Sequence, residues 1–247
     1  MGSDKEKKMS FIGHLEELRH RIIVCVIAIA IGFAICCIFQ DKLFKILMGP
    51  LLKAKPDIKM IYTGLTEAFF VYMKTDLLAG VILAIPIILY QIWCFVGPGL
   101  YDKEKRFIVP IVLISSVFFI GGALFAYFIV LPFAFKYLLS FSEGPIQALP
   151  SMKEYFTLSS ILILAFGLTF QLPLVLTFLG RLGIVTTSFL GRNRKYAILL
   201  IFITAAIITP TPDMVNQCLM AVPMMILYEV GILGVRLFGK RKKEVES

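Results

Sequence analysis

The sequence predicts an all-α integral membrane protein with six transmembrane helices, and three observations carry that prediction. Hydrophobic residues make up 59% of the 247 positions and charged residues only 17%. Mean hydropathy is +0.88, which leaves too little polar surface for a water-soluble domain of this length. Several apolar runs approach or exceed the ~20 residues that cross a hydrocarbon core of ~30 Å. The two-residue alternation of a β-barrel is absent, so helices are the spanning element that remains.

The elements follow in order. Residues 1–20 form an N-terminal segment that carries an amphipathic stretch, "SFIGHLEELRHRI" at 10–22. At ~100° per residue Phe11, Leu15, Leu18 and Ile22 share one arc, and His14, Glu17 and Arg21 cluster on the adjoining polar face. It reads as an interfacial helix leading into the first span, 21–40. No small-residue cleavage site closes that span, so it is expected to be retained rather than removed as a leader. The second span, 68–95, has Pro86 in its body, Lys74 and Asp76 inside it, and Glu67 at its outer mouth. Pro98 and Gly99 turn the chain into the third span, 107–131. The fourth, 156–180, contains Gln171 and Pro173. The fifth, 196–210, rests on the 14-residue run "YAILLIFITAAIIT", ~21 Å long and short for a bilayer. The sixth, 216–237, carries Pro223 and Glu229, and a basic tail, 238–247, holds "KRKK". Together 21–237 form one transmembrane domain, and its mixed lengths and interior prolines point to a curved, cup-like bundle.

Orientation follows from the basic residues. With the N-terminus inside, the inner segments hold 17 Lys and Arg and the outer ones 7; Lys74 lies within the membrane. Both termini are therefore expected in the cytoplasm. The net charge of +9 reads as a topology signal and an attraction to anionic lipid, not as a nucleic-acid footprint.

Polar groups at membrane depth tend to pair or to face a polar cavity. Lys74 and Asp76, two apart on a helix, are expected to have separate partners, and Lys74 is shallow enough to snorkel. Asp213, in "TPTPDMVNQ", is placed to cap the last helix. Glu229 has no such role and must be hydrogen-bonded or protonated. Pro173 cannot donate to the carbonyl of Thr169. Gln171 then either satisfies that backbone or presents a hydrogen-bonding group to a passing helix. The five cysteines fall in or beside apolar runs without CxxC spacing, as small hydrophobes do. His14 and His20 both precede the first span, and no HExxH, GxSxG or P-loop occurs. Neither catalytic residues, nor a metal, nor a cofactor is expected, and the chain does not read as an enzyme.

Six motifs carry a family resemblance: "HLEELRHR" (14–21), "FVGPGLYDKEKR" (95–106), "GALFAYFIVLP" (122–132), "FGLTFQLP" (166–173), "TPTPDMVNQ" (209–217) and "LYEVG" (227–231). In this order they resemble the signatures of TatC, the six-span core subunit of the twin-arginine protein translocase, over residues 10–240. The resemblance implies a multi-pass protein of the bacterial cytoplasmic (inner) membrane that receives twin-arginine signal peptides. It would work with single-span partners of the TatA and TatB type, within a larger self-associating complex, to export folded precursors on the proton-motive force. It implies signal-peptide contacts at Glu17 and Glu104, flanked by Phe95, His14 and Arg19, with Gln171, Asp213, Glu67 and Glu229 as the intramembrane polar set. A carboxylate suits that task, because arginine's flat fork of donors matches it bidentately and lysine cannot copy the match. Lys103, Lys105 and Arg106 around Glu104 would weaken non-specific cation binding. The family often has a glutamate where this chain has Gln171, which hydrogen-bonds but cannot titrate.

Two other classes remain. A small-solute secondary transporter would also be a bundle with intramembrane polar groups, though no repeat symmetry or pair of broken helices is visible. An intramembrane hydrolase would need paired groups at equal depth, and only Asp76 and Glu229 are available.

Overall fold

The computed structural model describes residues 11–56, 58, 60–96, 108–141, 149–209 and 214–239. Described residues outside the helices form turns and one isolated backbone bridge, between Ile61 and Ser151. Among the described residues five helical stretches are long and apolar enough to cross a bilayer, at 13–37, 67–95, 109–140, 152–181 and 214–238. The chain divides into two compact units, Met1–Leu43 with Asp76–Ser116, and Phe44–Thr75 with Val117–Ser247.

The first unit is organised by α1 (Phe11–Cys37) and α3 (Glu67–Val96), the latter entering it at Asp76. The amphipathic segment and the first span, drawn apart at residue 21 in the sequence, are one unbroken helix. No proline or glycine pair lies between them to stop it. α1 and α3 run antiparallel, with His14 against Phe95, Arg21 against Gln91 and Gly32 against Gly80. Glycine is required at that last crossing. A Cβ on Gly32 would lie 2.6 Å from the Gly80 carbonyl oxygen, and one on Gly80 would lie 2.6 Å from the Phe33 nitrogen. Small residues at a membrane helix crossing let the backbones meet, where van der Waals packing replaces a hydrophobic drive. Trp93 Nε1 donates to Ser115 Oγ at 2.9 Å, which ties α3 to the first part of α4 (Ile108–Phe125).

The second unit holds the rest. α2 (Gln40–Ala54) enters it at Phe44 and buries Phe44, Leu47, Pro50 and Leu51, a helix where the sequence reading had only an outer loop. The hydroxyls of Tyr127 and Tyr155 donate to the Ile46 and Leu47 carbonyls; the first of these is the acceptor that Pro50, lacking an N–H, leaves open in the helix. The third span continues from α4 through a π-helical turn, Ala126–Val130, into α5 (Leu131–Ser140). It ends well beyond the expected residue 131.

The fourth span is two helices, α6 (Met152–Thr169) and α7 (Leu172–Arg181), broken at Gln171. α8 (Thr187–Arg192) and α9 (Arg194–Ile208) follow. α9 has 15 residues, or ~22 Å, as short as the sequence indicated. α10 (Met214–Phe238) keeps Pro223 inside it and packs along α7 and α9.

Candidate functional site

The polar face of the N-terminal helix is built into a cluster in the first unit. Residues 14, 17 and 21 recur at three- and four-residue spacing, so α1 presents them on one side, one above another. Arg21 Nε donates to Glu17 Oε1 at 3.0 Å, and Nη2 donates to the same oxygen. The guanidinium also reaches across to α3, from Nη1 to Gln91 Oε1 at 3.1 Å and from Nη2 to the Cys94 carbonyl at 3.2 Å. Side-chain exposure is only 20% for Arg21 and 23% for Glu17, so the pair is largely withdrawn from solvent.

Above it the imidazole of His14 stacks on Phe95, centroids 4.4 Å apart and planes 16° from parallel. Among the described residues Glu17 Oε2 meets only His14 Nδ1, at 3.9 Å, beyond hydrogen-bond reach. The arrangement is one carboxylate whose first oxygen is taken and whose second lies beside the imidazole that stacks on Phe95.

Of the residues expected to contact a signal peptide, His14, Glu17 and Phe95 are thus brought together. Arg19 is exposed and lies two residues, or ~200°, round the helix from Glu17. It makes no ion pair with a described residue. Glu104 lies outside the described residues. The sequence reading placed Arg21 on the polar face but gave it no role. Its tether to Gln91 and Cys94 is a contact between helices, and periodicity on one helix carries no signal of it.

The described members of the intramembrane polar set, Glu67, Gln171 and Glu229, lie in the second unit and do not converge. Glu67 opens α3. Its Oε2 accepts from Thr63 N (2.8 Å), Thr63 Oγ1 (2.9 Å) and Gly64 N (3.3 Å). Its Oε1 accepts from Ser151 Oγ (2.6 Å) and Lys153 N (2.9 Å). The Ile61–Ser151 bridge lies alongside, with Ile61 N donating to the Pro150 carbonyl and Met152 N to Ile61 O. One carboxylate therefore gathers the turn before α3 and the start of α6.

Gln171 is buried at the α6–α7 break, where its N–H turns back to the Leu168 carbonyl at 3.0 Å. Thr177 Oγ1 closes on the Pro173 carbonyl at 2.7 Å. Glu229, on α10, accepts from Arg194 Nη2 at 2.8 Å, with both side chains about half exposed. The requirement that it be hydrogen-bonded or protonated is met by hydrogen bonding. Asp213 lies outside the described residues.

Asp76 stands apart in the first unit. It is 1% exposed, and its Oδ1 has no hydrogen-bond partner among the described residues. Lys74 is exposed, so the two charges go separate ways. No group of His, Cys, Asp and Glu with metal-binding geometry occurs among the described residues.

Comparison with known proteins bears on this arrangement. The family model described as Sec-independent protein translocase protein (TatC) matches residues 13–223, a stretch that includes the whole Glu17 cluster. A Sec-independent protein translocase protein TatC from Desulforapulum autotrophicum is 54% identical over 99% of this chain and 91% of its own length. The one from Aquifex aeolicus is 42% identical over 97% of this chain and 100% of its own. A crystal structure of a twin arginine translocase receptor, TatC, is 42% identical and superposes with a TM-score of 0.81, over 91% of this chain and 99% of that one. Motifs, helical fold and near end-to-end similarity agree: this chain belongs to the TatC family of Sec-independent protein translocase proteins.

Proposed function

We propose that this translocase component is the receptor subunit that binds twin-arginine signal peptides, with the Glu17 cluster as the described half of its peptide site. The observation that carries the reading is the open edge of Glu17. A part-buried carboxylate, fixed at the end of a spanning helix, leaves Oε2 beside the His14–Phe95 stack. An incoming guanidinium can hydrogen-bond to that oxygen and lay its flat face on the rings, two contacts that an ammonium cannot make together. Glu104, by its place in "FVGPGLYDKEKR", supplies the second carboxylate for the second arginine. Arg19, on the other side of α1, stays out of the pocket.

The wider reading follows the family. The basic inner segments put both termini and the Glu17 cluster on the cytoplasmic face of the bacterial inner membrane. The short α9 is the fifth of six spans, and α10 is the sixth. Single-span partners of the TatA and TatB type, and further copies of this chain, complete the complex, which uses the proton-motive force. In the intramembrane set, the half-exposed Glu229 is the group placed to meet a partner's span, while Glu67 and the buried Gln171 hold the fold. A small-solute transporter is not favoured, because the relatives named above are protein translocase components.

The test is photo-cross-linking from positions within 14–21 and 95–106 to a twin-arginine precursor, with a twin-lysine precursor as control. Glu17→Ala with Glu104→Ala abolishes the arginine-specific cross-links and leaves the protein folded. Unchanged cross-linking in the double variant overturns the assignment.

A further inference from the structure

We infer that Arg21 is a resident arginine that sets the selectivity of this site for arginine over lysine, an inference that rests on the receptor reading above. Nε, Nη1 and Nη2 of Arg21 are all engaged, in four hydrogen bonds to Glu17, Gln91 and the Cys94 carbonyl. Only a guanidinium can serve three acceptors in that spread, because its donors point in fixed directions from one plane. Arg21 is therefore a fixture of the site and not a mobile competitor for it.

Two consequences follow from the fixture. The first concerns direction. With Oε1 occupied by Arg21, Glu17 offers only Oε2, which lies 3.9 Å from Nδ1 of the His14 ring stacked on Phe95. The second concerns charge. Arg21 already balances Glu17, so an approaching cation meets a nearly neutral pair. A charge ~3 Å from the carboxylate and ~6 Å from the guanidinium loses about half of its attraction, since Coulomb energy falls as the inverse of distance. An ammonium, which depends on point charge, keeps only the remaining half. A guanidinium keeps its directional hydrogen bond and its ring contact. Taking lysine's attraction away while leaving arginine's geometry intact is how the pair discriminates.

The test uses the full chain in detergent and synthetic signal peptides carrying either Arg-Arg or Lys-Lys. Arg21→Met keeps an unbranched stem but removes the charge and the donors. Gln91→Leu keeps the charge and cuts one tether. In Arg21→Met the Lys-Lys peptide binds more tightly and with a steeper salt dependence, and the Arg-Arg to Lys-Lys affinity ratio falls by about tenfold, the worth of one charge-assisted hydrogen bond. Gln91→Leu lowers the ratio by a smaller factor. A ratio that stays at the wild-type value in both variants overturns the inference, as does an equal loss of both peptides in variants with unchanged thermal unfolding. If Arg21→Met does not fold, the Gln91→Leu ratio decides alone. Glu17→Gln is run alongside. Arg-Arg binding that survives it refutes the peptide site itself, a result that the Arg21 comparison cannot produce.

Discussion

Among the described residues each unit of the molecule holds one arginine–glutamate pair, and the two are built for different ends. Arg21 and Glu17 lie four residues apart on a single helix, braced by a second helix, with about four-fifths of each side chain withdrawn from solvent. Arg194 and Glu229 come from separate helices, 35 residues apart, and about half of each side chain is exposed. In the first pair all three nitrogens of the arginine are engaged and the carboxylate keeps an open edge. In the second a single 2.8 Å hydrogen bond joins two long, half-exposed side chains. Equal chemistry thus gives a preorganised acceptor in one place and a loose clasp in the other. What differs is the number of neighbours that fix the arginine.

That contrast can be broken at its base. Gly80→Val drives a side chain into the Phe33 backbone at the α1–α3 crossing and removes the brace under the first pair. A loss of about 3 kcal/mol or more is expected, at the upper end of overpacking. It is read as a lower unfolding temperature in detergent, together with loss of signal-peptide capture. Glu17→Ala comes next, weakening capture of an Arg-Arg peptide by ~1.5–3 kcal/mol, or roughly tenfold to a hundredfold. Glu229→Ala in the same assay leaves capture unchanged, and equal losses in the two variants would erase the distinction.

Asp76 sharpens the comparison as a carboxylate with no arginine at all. Asp76→Leu removes a buried group whose Oδ1 lacks a described partner, and it is expected to raise stability by ~1–3 kcal/mol in thermal unfolding. Arg194→Ala has the smallest effect, less than ~1 kcal/mol, and one that shrinks further in high salt.

Much of this was legible in the sequence, for reasons that differ by element. The long apolar runs announced their helices because the bilayer demands length and an apolar surface, and both can be read locally. α2 was not legible. Lys42, Lys45, Lys53 and the Gly49–Pro50 pair read as a polar loop. The signal that would have found it is Phe44, Leu47 and Leu51 at helical spacing, now seen buried on one face. The break at Gln171 was half visible. Pro173 announced a lost hydrogen bond, but the turn back to Leu168 depends on how the chain relaxes.

At the site, the shared face of His14, Glu17 and Arg21 came from periodicity alone, and Phe95 came from a motif. The link from Arg21 to Gln91 and Cys94 required knowing which helices lie together, and that is set by the Gly32–Gly80 approach.

The Glu67 carboxylate has a consequence in time. Its acceptors stand ready at the start of α3, and Thr63 and Gly64 precede it in the chain, but Ser151 and Lys153 are made more than 80 residues later. During synthesis the turn at 61–66 can be only half tied. It locks when the start of α6 arrives to close the Ile61–Ser151 bridge. The same few atoms that fasten the turn in the finished protein also report that the fourth long apolar stretch has reached its place.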